Sequence, residues 1–173
     1  MRNAFVSLMA LGALAGVAAF ATYPVATVAQ QQAQEEQRPA DMDPKPFNPQ
    51  LGALMNMIIQ PRHAKLGLAG KAENWPLAGY MFKELRQGLV VISRAVPRWK
   101  GLPVPDLFDA AMSQPLATLD FAIKAGEPRQ FAESYARLTA GCNACHGTTD
   151  HPFVVIKVPE ESAFPNQDFQ PKR

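Results

Sequence analysis

The sequence predicts an all-α protein, an antiparallel four-helix bundle followed by an extended C-terminal tail. Three observations carry this. Between Leu51 and Cys145 apolar residues recur at steps of three and four, the spacing of one helix face. The gaps between these runs hold helix punctuation: Asn74-Trp75-Pro76, "GLPVPD", and Gly126-Glu127-Pro128. Four amphipathic segments joined by short connections are the raw material of a bundle.

The chain of 173 residues divides into four parts. Residues 1–29 are laid out as a secretory signal peptide. Arg2 supplies the positive charge, no charged residue occurs from Ala4 to Ala21, and small-x-small sites follow at Ala19-Phe20-Ala21 and Thr27-Val28-Ala29. The alternative is an uncleaved anchor, because an apolar run of about 18 residues just spans a bilayer. The small Ala and Gly residues in the run favour cleavage and export to the periplasm. Residues 30–50 are polar and proline-punctuated, without a hydrophobic period, and read as a flexible leader. Residues 51–150 form the helical domain, and residues 151–173 an extended tail packing on it.

The first helix is expected over Leu51–Ala69, on Leu51, Met55, Ile58, Ile59, Leu66 and Ala69, with Pro61 kinking or splitting it. The second starts at Asn74-Trp75-Pro76, with Asn74 near the cap and the proline in the first turn. Its stripe runs Leu77, Met81, Leu85, Gly88, Ile92, Ala95, Trp99, and Pro97 distorts or ends its last turn. The third covers about Asp106 to Ala125, on Leu107, Ala111, Leu119, Ala122 and Ile123, with a kink at Pro115 and a stop at Gly126. The fourth begins at Glu127-Pro128 and buries Phe131, Tyr135, Leu138, Cys142 and Cys145, so both cysteines continue the inward stripe. No hairpin signal is read before residue 150. In the tail, Phe153 to Val158 is rich in β-branched residues and is expected to lie extended along the bundle, its apolar run covering the domain near Cys145 and His146. Phe164 and Phe169 serve as further anchors.

The only two cysteines stand in "GCNACHG". Cys142-x-x-Cys145-His146 is the attachment pattern of c-type haem. Residues i, i+3 and i+4 share a helix face, so two thiols reach the two vinyl groups on one porphyrin edge while the histidine meets the iron. Zinc is the first rival. It needs four ligands, and the only further histidines, His63 and His151, would make an unusual mixed site. A dithiol redox centre is the second, but such pairs sit where a helix begins, whereas this pair sits where one ends. Export agrees with haem, which is attached outside the cytoplasm. One covalent haem c is therefore expected, on Cys142 and Cys145, with His146 as proximal iron ligand.

A haem motif on the last helix of a four-helix bundle resembles the class II, cytochrome c-prime-like, c-type cytochromes. The stretches "RHAKLGLAGKAENWPLAGY", "LTAGCNACH" and "FVVI…FPNQDF" are similar to a group of small exported proteobacterial cytochrome-like proteins. The resemblance covers Leu51 to Phe169 and implies haem on Cys142 and Cys145, ligation by His146, and a homodimer as one available state. The chain departs from the class II pattern in the 27 residues that follow His146.

No methionine follows residue 112, so a sixth ligand must come from upstream or from His151. His63, on the inward stripe of the first helix, is the leading candidate for the distal side. Met55, Met57 and an open iron are the alternatives, and a histidine that bonds a propionate or a helix end is the plainer role for His63. Trp75, Trp99 and Tyr135 read as packing aromatics, and Arg94, Arg98 and Lys100 as cations complementing a helix C-terminus. The formal charge of +2, lower by one without Arg2, shows no basic nucleic-acid footprint. There is no Gly-rich phosphate loop. The expected function is one-electron transfer to redox partner proteins in the periplasm, an electron carrier rather than a catalyst. Binding or sensing of nitric oxide or carbon monoxide at an open distal site is the alternative. A peroxidase is weaker still, since it needs a positioned distal acid-base group.

Overall fold

The computed structural model describes residues 27–30, 33 and 49–172. The chain divides into two units, Met1–Pro46 and Phe47–Arg173. The signal-peptide reading and nearly all of the leader lie outside the described residues, and no described helix is long and apolar enough to cross a membrane. The second unit is mostly helical, with a single two-stranded ribbon among its described residues.

The first helical run begins as α1 (Leu51–Leu54), widens into a π-helical segment (Met55–Ile59), and continues as α2 (Gln60–Lys71). The register change falls just before Pro61, which occupies the first turn of α2. A proline has no N–H to give the carbonyl four residues back, and a π-turn at this point absorbs the mismatch. Helix α3 (Trp75–Ala95) is capped by Asn74, whose side chain accepts from Leu77 N–H at 3.2 Å, and Pro76 lies in its first turn.

Beyond α3 the structure departs from the sequence expectation. The helix stops at Ala95, and Arg98–Trp99 (β1) pairs antiparallel with Leu102–Pro103 (β2). Lys100 and Gly101 make the turn with φ of 47° and 81°. Two successive positive φ values match the twist of a tight hairpin, and glycine supplies one of them without steric cost. Trp99 therefore belongs to a ribbon and not to a helical stripe.

Helix α4 (Val104–Ala125) starts two residues before the expected Asp106 and runs through Pro115. Its buried residues are Val104, Phe108, Met112, Leu119, Ala122 and Ile123, so in the first half the buried line is one residue on from the expected Leu107 and Ala111, which are half-buried. Gly126, in the left-handed region at φ 67°, ends the helix, and α5 (Pro128–Thr148) follows at once.

Helix α2 packs on α3, α3 on α4, α4 on α5, and α2 again on α5. Leu66, Ile92, Leu119, Tyr135 and Leu138 are at most 1% exposed and form the centre of the core. The α2–α5 contact is close because it is built on glycine: a Cβ on Gly70 would stand 2.0 Å from the Phe131 ring, and one on Gly67 2.6 Å from Tyr135.

Among its described residues the tail forms no strand, and the covering role expected for its apolar run is only partly met. Phe153 and Val155 are 77% and 62% exposed, whereas Val154 and Ile156 line a cavity at the end of α5. Strand-like alternation sends neighbouring side chains to opposite sides, so four consecutive apolar residues cannot all face the domain. Further on, Pro159 meets Gly67, Lys71 Nζ donates to Glu160 O at 2.9 Å, and Asn74 Nδ2 donates to the carbonyls of Phe169 and Gln170. Phe169 is buried and Phe164 half-buried, with Lys65 lying over the Phe164 ring.

Candidate haem site at the end of helix α5

Cys142, Cys145 and His146 occupy the last turns of α5, and all three line one cavity of about 260 Å³. The other walls are largely apolar. Met55 and Ile59 come from the π-helical segment, Leu85 from α3, and Phe108 and Met112 from α4, with Trp99 and His151 also on the lining. Gly141 lets α5 approach α4 just before the motif, since a Cβ there would stand 2.6 Å from the Ala111 carbonyl oxygen.

Both thiols are free. Burial pushes the Cys142 thiol up to about 11, with the neighbouring Cys145 adding to the effect, and burial also raises Cys145. Reactive dithiols show the opposite behaviour, a thiolate favoured by a helix N-terminus or a nearby cation. Here the pair sits at a helix C-terminus, in apolar surroundings, as neutral thiols. Among the described residues no three His, Cys, Asp or Glu side chains converge as an ion site.

The His146 ring has a defined tautomer. Its Nδ1 lies 2.7 Å from the Val154 carbonyl oxygen, which can only accept, so Nδ1 carries a proton and in the neutral ring the lone pair is on Nε2. That is the arrangement an axial imidazole needs. His151 also lines the cavity. Its Nδ1 donates to Thr149 O at 2.7 Å, and its ring lies between Trp99 and Phe153, with centroids 5.1 and 5.5 Å away.

His63 is buried, 3% exposed, and borders the same cavity. Its Nε2 is already engaged. Thr139 Oγ1 donates to the Tyr135 carbonyl at 3.0 Å, so it accepts from His63 Nε2–H at 2.9 Å. The Tyr135 hydroxyl donates toward the His63 carbonyl at 2.7 Å and lies 3.0 Å from Nδ1. The tyrosine and histidine rings stack, with centroids 4.8 Å apart. Burial lowers the His63 pKa to about 4, so the ring is neutral, and it raises that of Tyr135. Ligation of a metal by His63 Nε2 would require that nitrogen to release its proton and the Thr139 bond. Of the two methionines weighed as alternatives, Met55 lines the cavity, while Met57 is 56% exposed and is not on its lining.

The structure thus gathers Cys142, Cys145, His146, His63, Met55 and His151 around one space. Sequence reasoning missed Thr139 and Asn143. Thr139 follows Leu138 on the buried face, and a polar residue beside an apolar stripe was the available signal. Asn143 stands inside the motif, and its role depends on a tail residue 13 positions away. Comparison with protein-family models, curated proteins and solved structures returns no match for the chain.

Proposed function

We propose that the chain is a periplasmic monohaem c-type cytochrome, an antiparallel four-helix bundle that exchanges single electrons with redox partner proteins. The observation that carries the reading is the convergence of two neutral, unpaired thiols and a histidine whose Nδ1–H is held by a backbone carbonyl on one largely apolar cavity. The cyclic order of helix contacts supports the bundle architecture. Haem c, when bound, supplies a one-electron redox centre whose potential follows from its axial ligands, its burial and the hydrogen bonds around them. The chain supplies the remainder. Cys142 and Cys145, three apart on α5, act as tethers, His146 presents Nε2, and Met55, Ile59, Leu85 and Phe108 keep water from the interior. Nothing in this set requires a substrate pocket, which supports a carrier over a catalyst.

A second reading is favoured by one observation. His63 Nε2 gives its proton to Thr139 and the ring is packed against Tyr135, so the strongest distal donor is occupied, and the remaining walls are mostly hydrocarbon. An open iron position behind such walls suits a small gas such as nitric oxide or carbon monoxide. Absorption spectra of the oxidised and reduced protein, with and without carbon monoxide, separate the two. A low-spin haem that ignores carbon monoxide supports electron transfer. A high-spin haem that binds it supports gas binding.

A further inference from the structure

The tail and the haem motif are tied together at two points. Asn143, the first of the two residues between the cysteines, uses its whole carboxamide on one tail residue. Nδ2 donates to Ile156 O at 2.9 Å, and Oδ1 accepts from Ile156 N–H at 2.8 Å. The side chain thus pairs with Ile156 as a neighbouring strand would, and the two bonds fix the amide's orientation. Two residues earlier, the Val154 carbonyl receives His146 Nδ1–H at 2.7 Å. Asn143 and His146 are three apart on α5 and so share a face. Ile156 and Val154 are two apart in an extended segment, which points their carbonyls to the same side. The near end of the segment is also held, since His151 N–H donates to His146 O at 2.8 Å and Val154 N–H to His151 O at 2.9 Å.

We propose that Asn143 is a positioning residue for the proximal histidine: by pinning Ile156 it holds the Val154 carbonyl on His146 Nδ1–H, and so sets the ring's orientation and the basicity of Nε2. This rests on the haem reading given above. Residues 151–156 form a strap closed over the last turn of α5, and the Val154 carbonyl plays the part that a carboxylate or another backbone carbonyl plays behind metal-bound histidines elsewhere. The strap explains why the chain continues past the motif and why an amide, not a small apolar residue, stands at position 143. It works through a main-chain carbonyl.

The test uses the haem-loaded full chain, with two readouts: the hydrogen-exchange rate of the His146 ring N–H, followed by NMR, and the reduction potential. Asn143→Ala should speed the exchange several-fold to about tenfold, the equivalent of one hydrogen bond's net worth. The potential should rise, because a less basic imidazole stabilises ferric iron less. Val155→Ala, in the same segment but 62% exposed and off the cavity, keeps every backbone bond and should leave both unchanged. Asn143→Ser shortens the reach without an apolar replacement and carries the same expectation where the alanine variant does not fold. Covalent haem with exchange and potential both unchanged in Asn143→Ala or Asn143→Ser overturns the positioning role and leaves the haem reading standing. A wild-type chain that carries no covalent haem overturns the haem reading itself, and the inference with it.

Discussion

Gly70→Ala should destabilise the protein although alanine is the better helix former. A Cβ at position 70 would stand 2.0 Å from Cε1 and Cζ of Phe131 and 2.6 Å from Cδ1. Ordinary carbon–carbon contact is about 3.5–4.0 Å, so the groups must separate by roughly 1.5 Å. The ring has little freedom to swing. Phe131 is 4% exposed, its edge meets Trp75, and it stacks on Tyr135, which in turn stacks on His63. Relief must come from moving α2 away from α5. Overpacking of this kind costs about 1–3 kcal/mol, and the severity of the overlap places Gly70→Ala at the upper end. Replacing a helical glycine returns at most about 1 kcal/mol. The net loss is about 2 kcal/mol, or a fall in thermal midpoint of about 8 °C for a domain of this size. Gly79→Ala in α3 is the internal control. Its nearest foreign atom, Ile123 Cγ2, would be 3.9 Å away, an ordinary contact, so the variant should gain up to about 1 kcal/mol. Thermal and denaturant unfolding followed by circular dichroism measure both. A Gly70→Ala protein that melts at or above the wild type would refute the close approach of α2 and α5.

Other expectations follow from the same packing and hydrogen bonds. His63 is neutral in the fold with its pKa lowered to about 4 from 6.5, so the unfolded chain binds the extra proton between those values. Its contribution is complete above pH 6.5 and is lost as pH falls toward 4, on the order of 3 kcal/mol in all. Denaturant midpoints across that range should fall more steeply for wild type than for His63→Gln, and parallel curves would contradict the buried neutral ring. Gly141→Ala meets the Ala111 carbonyl, part of the backbone of α4, and should cost about 1–3 kcal/mol in thermal stability; a wild-type melt would show that α4 yields there at no cost. In the tail, Phe169→Ala should cost about 3 kcal/mol, while Phe153→Ala, 77% exposed, should change stability by less than about 0.5 kcal/mol. The reverse ranking, read by chemical denaturation, would put the tail's anchor in the wrong place.

The helices were legible because their signals are local. Asn74 and Pro76 mark the start of α3, Gly126 the end of α4, and Pro128 the first turn of α5, each through a φ preference or a missing donor that needs no knowledge of the rest of the chain. The all-α class followed from the period of the apolar residues. The Lys100-Gly101 turn carries no strand signal in the sequence, because strands of two residues leave no alternation to detect. At Pro61 the sequence announced a disturbance but could not say that the helix would absorb it as a π-segment and continue.

The candidate site divided in the same way. Cys142, Cys145 and His146 declare themselves by spacing along a single helix. Tyr135 and Thr139, which pack on and bond to His63, lie 72 and 76 residues away, so the engagement of its Nε2 was invisible in the sequence. A glycine inside a helix ordinarily weakens it, whereas at Gly67 and Gly70 the lack of a side chain is what admits Tyr135 and Phe131. In the tail, hydrophobicity alone suggested four covering residues, and backbone geometry permits only the alternate pair, Val154 and Ile156, to line the cavity.

The most direct test of the central claim is whether haem is covalently attached. The full-length gene should be expressed in a bacterium that matures c-type cytochromes, the exported protein purified, and haem followed through denaturation and acid–acetone extraction. Intact mass should be measured for the wild type and for Cys142→Ala/Cys145→Ala. The account predicts one haem that stays with the wild-type polypeptide, adds its mass, and is absent from the double variant. A wild-type chain whose mass is that of the bare polypeptide, or whose haem extracts freely, would contradict it.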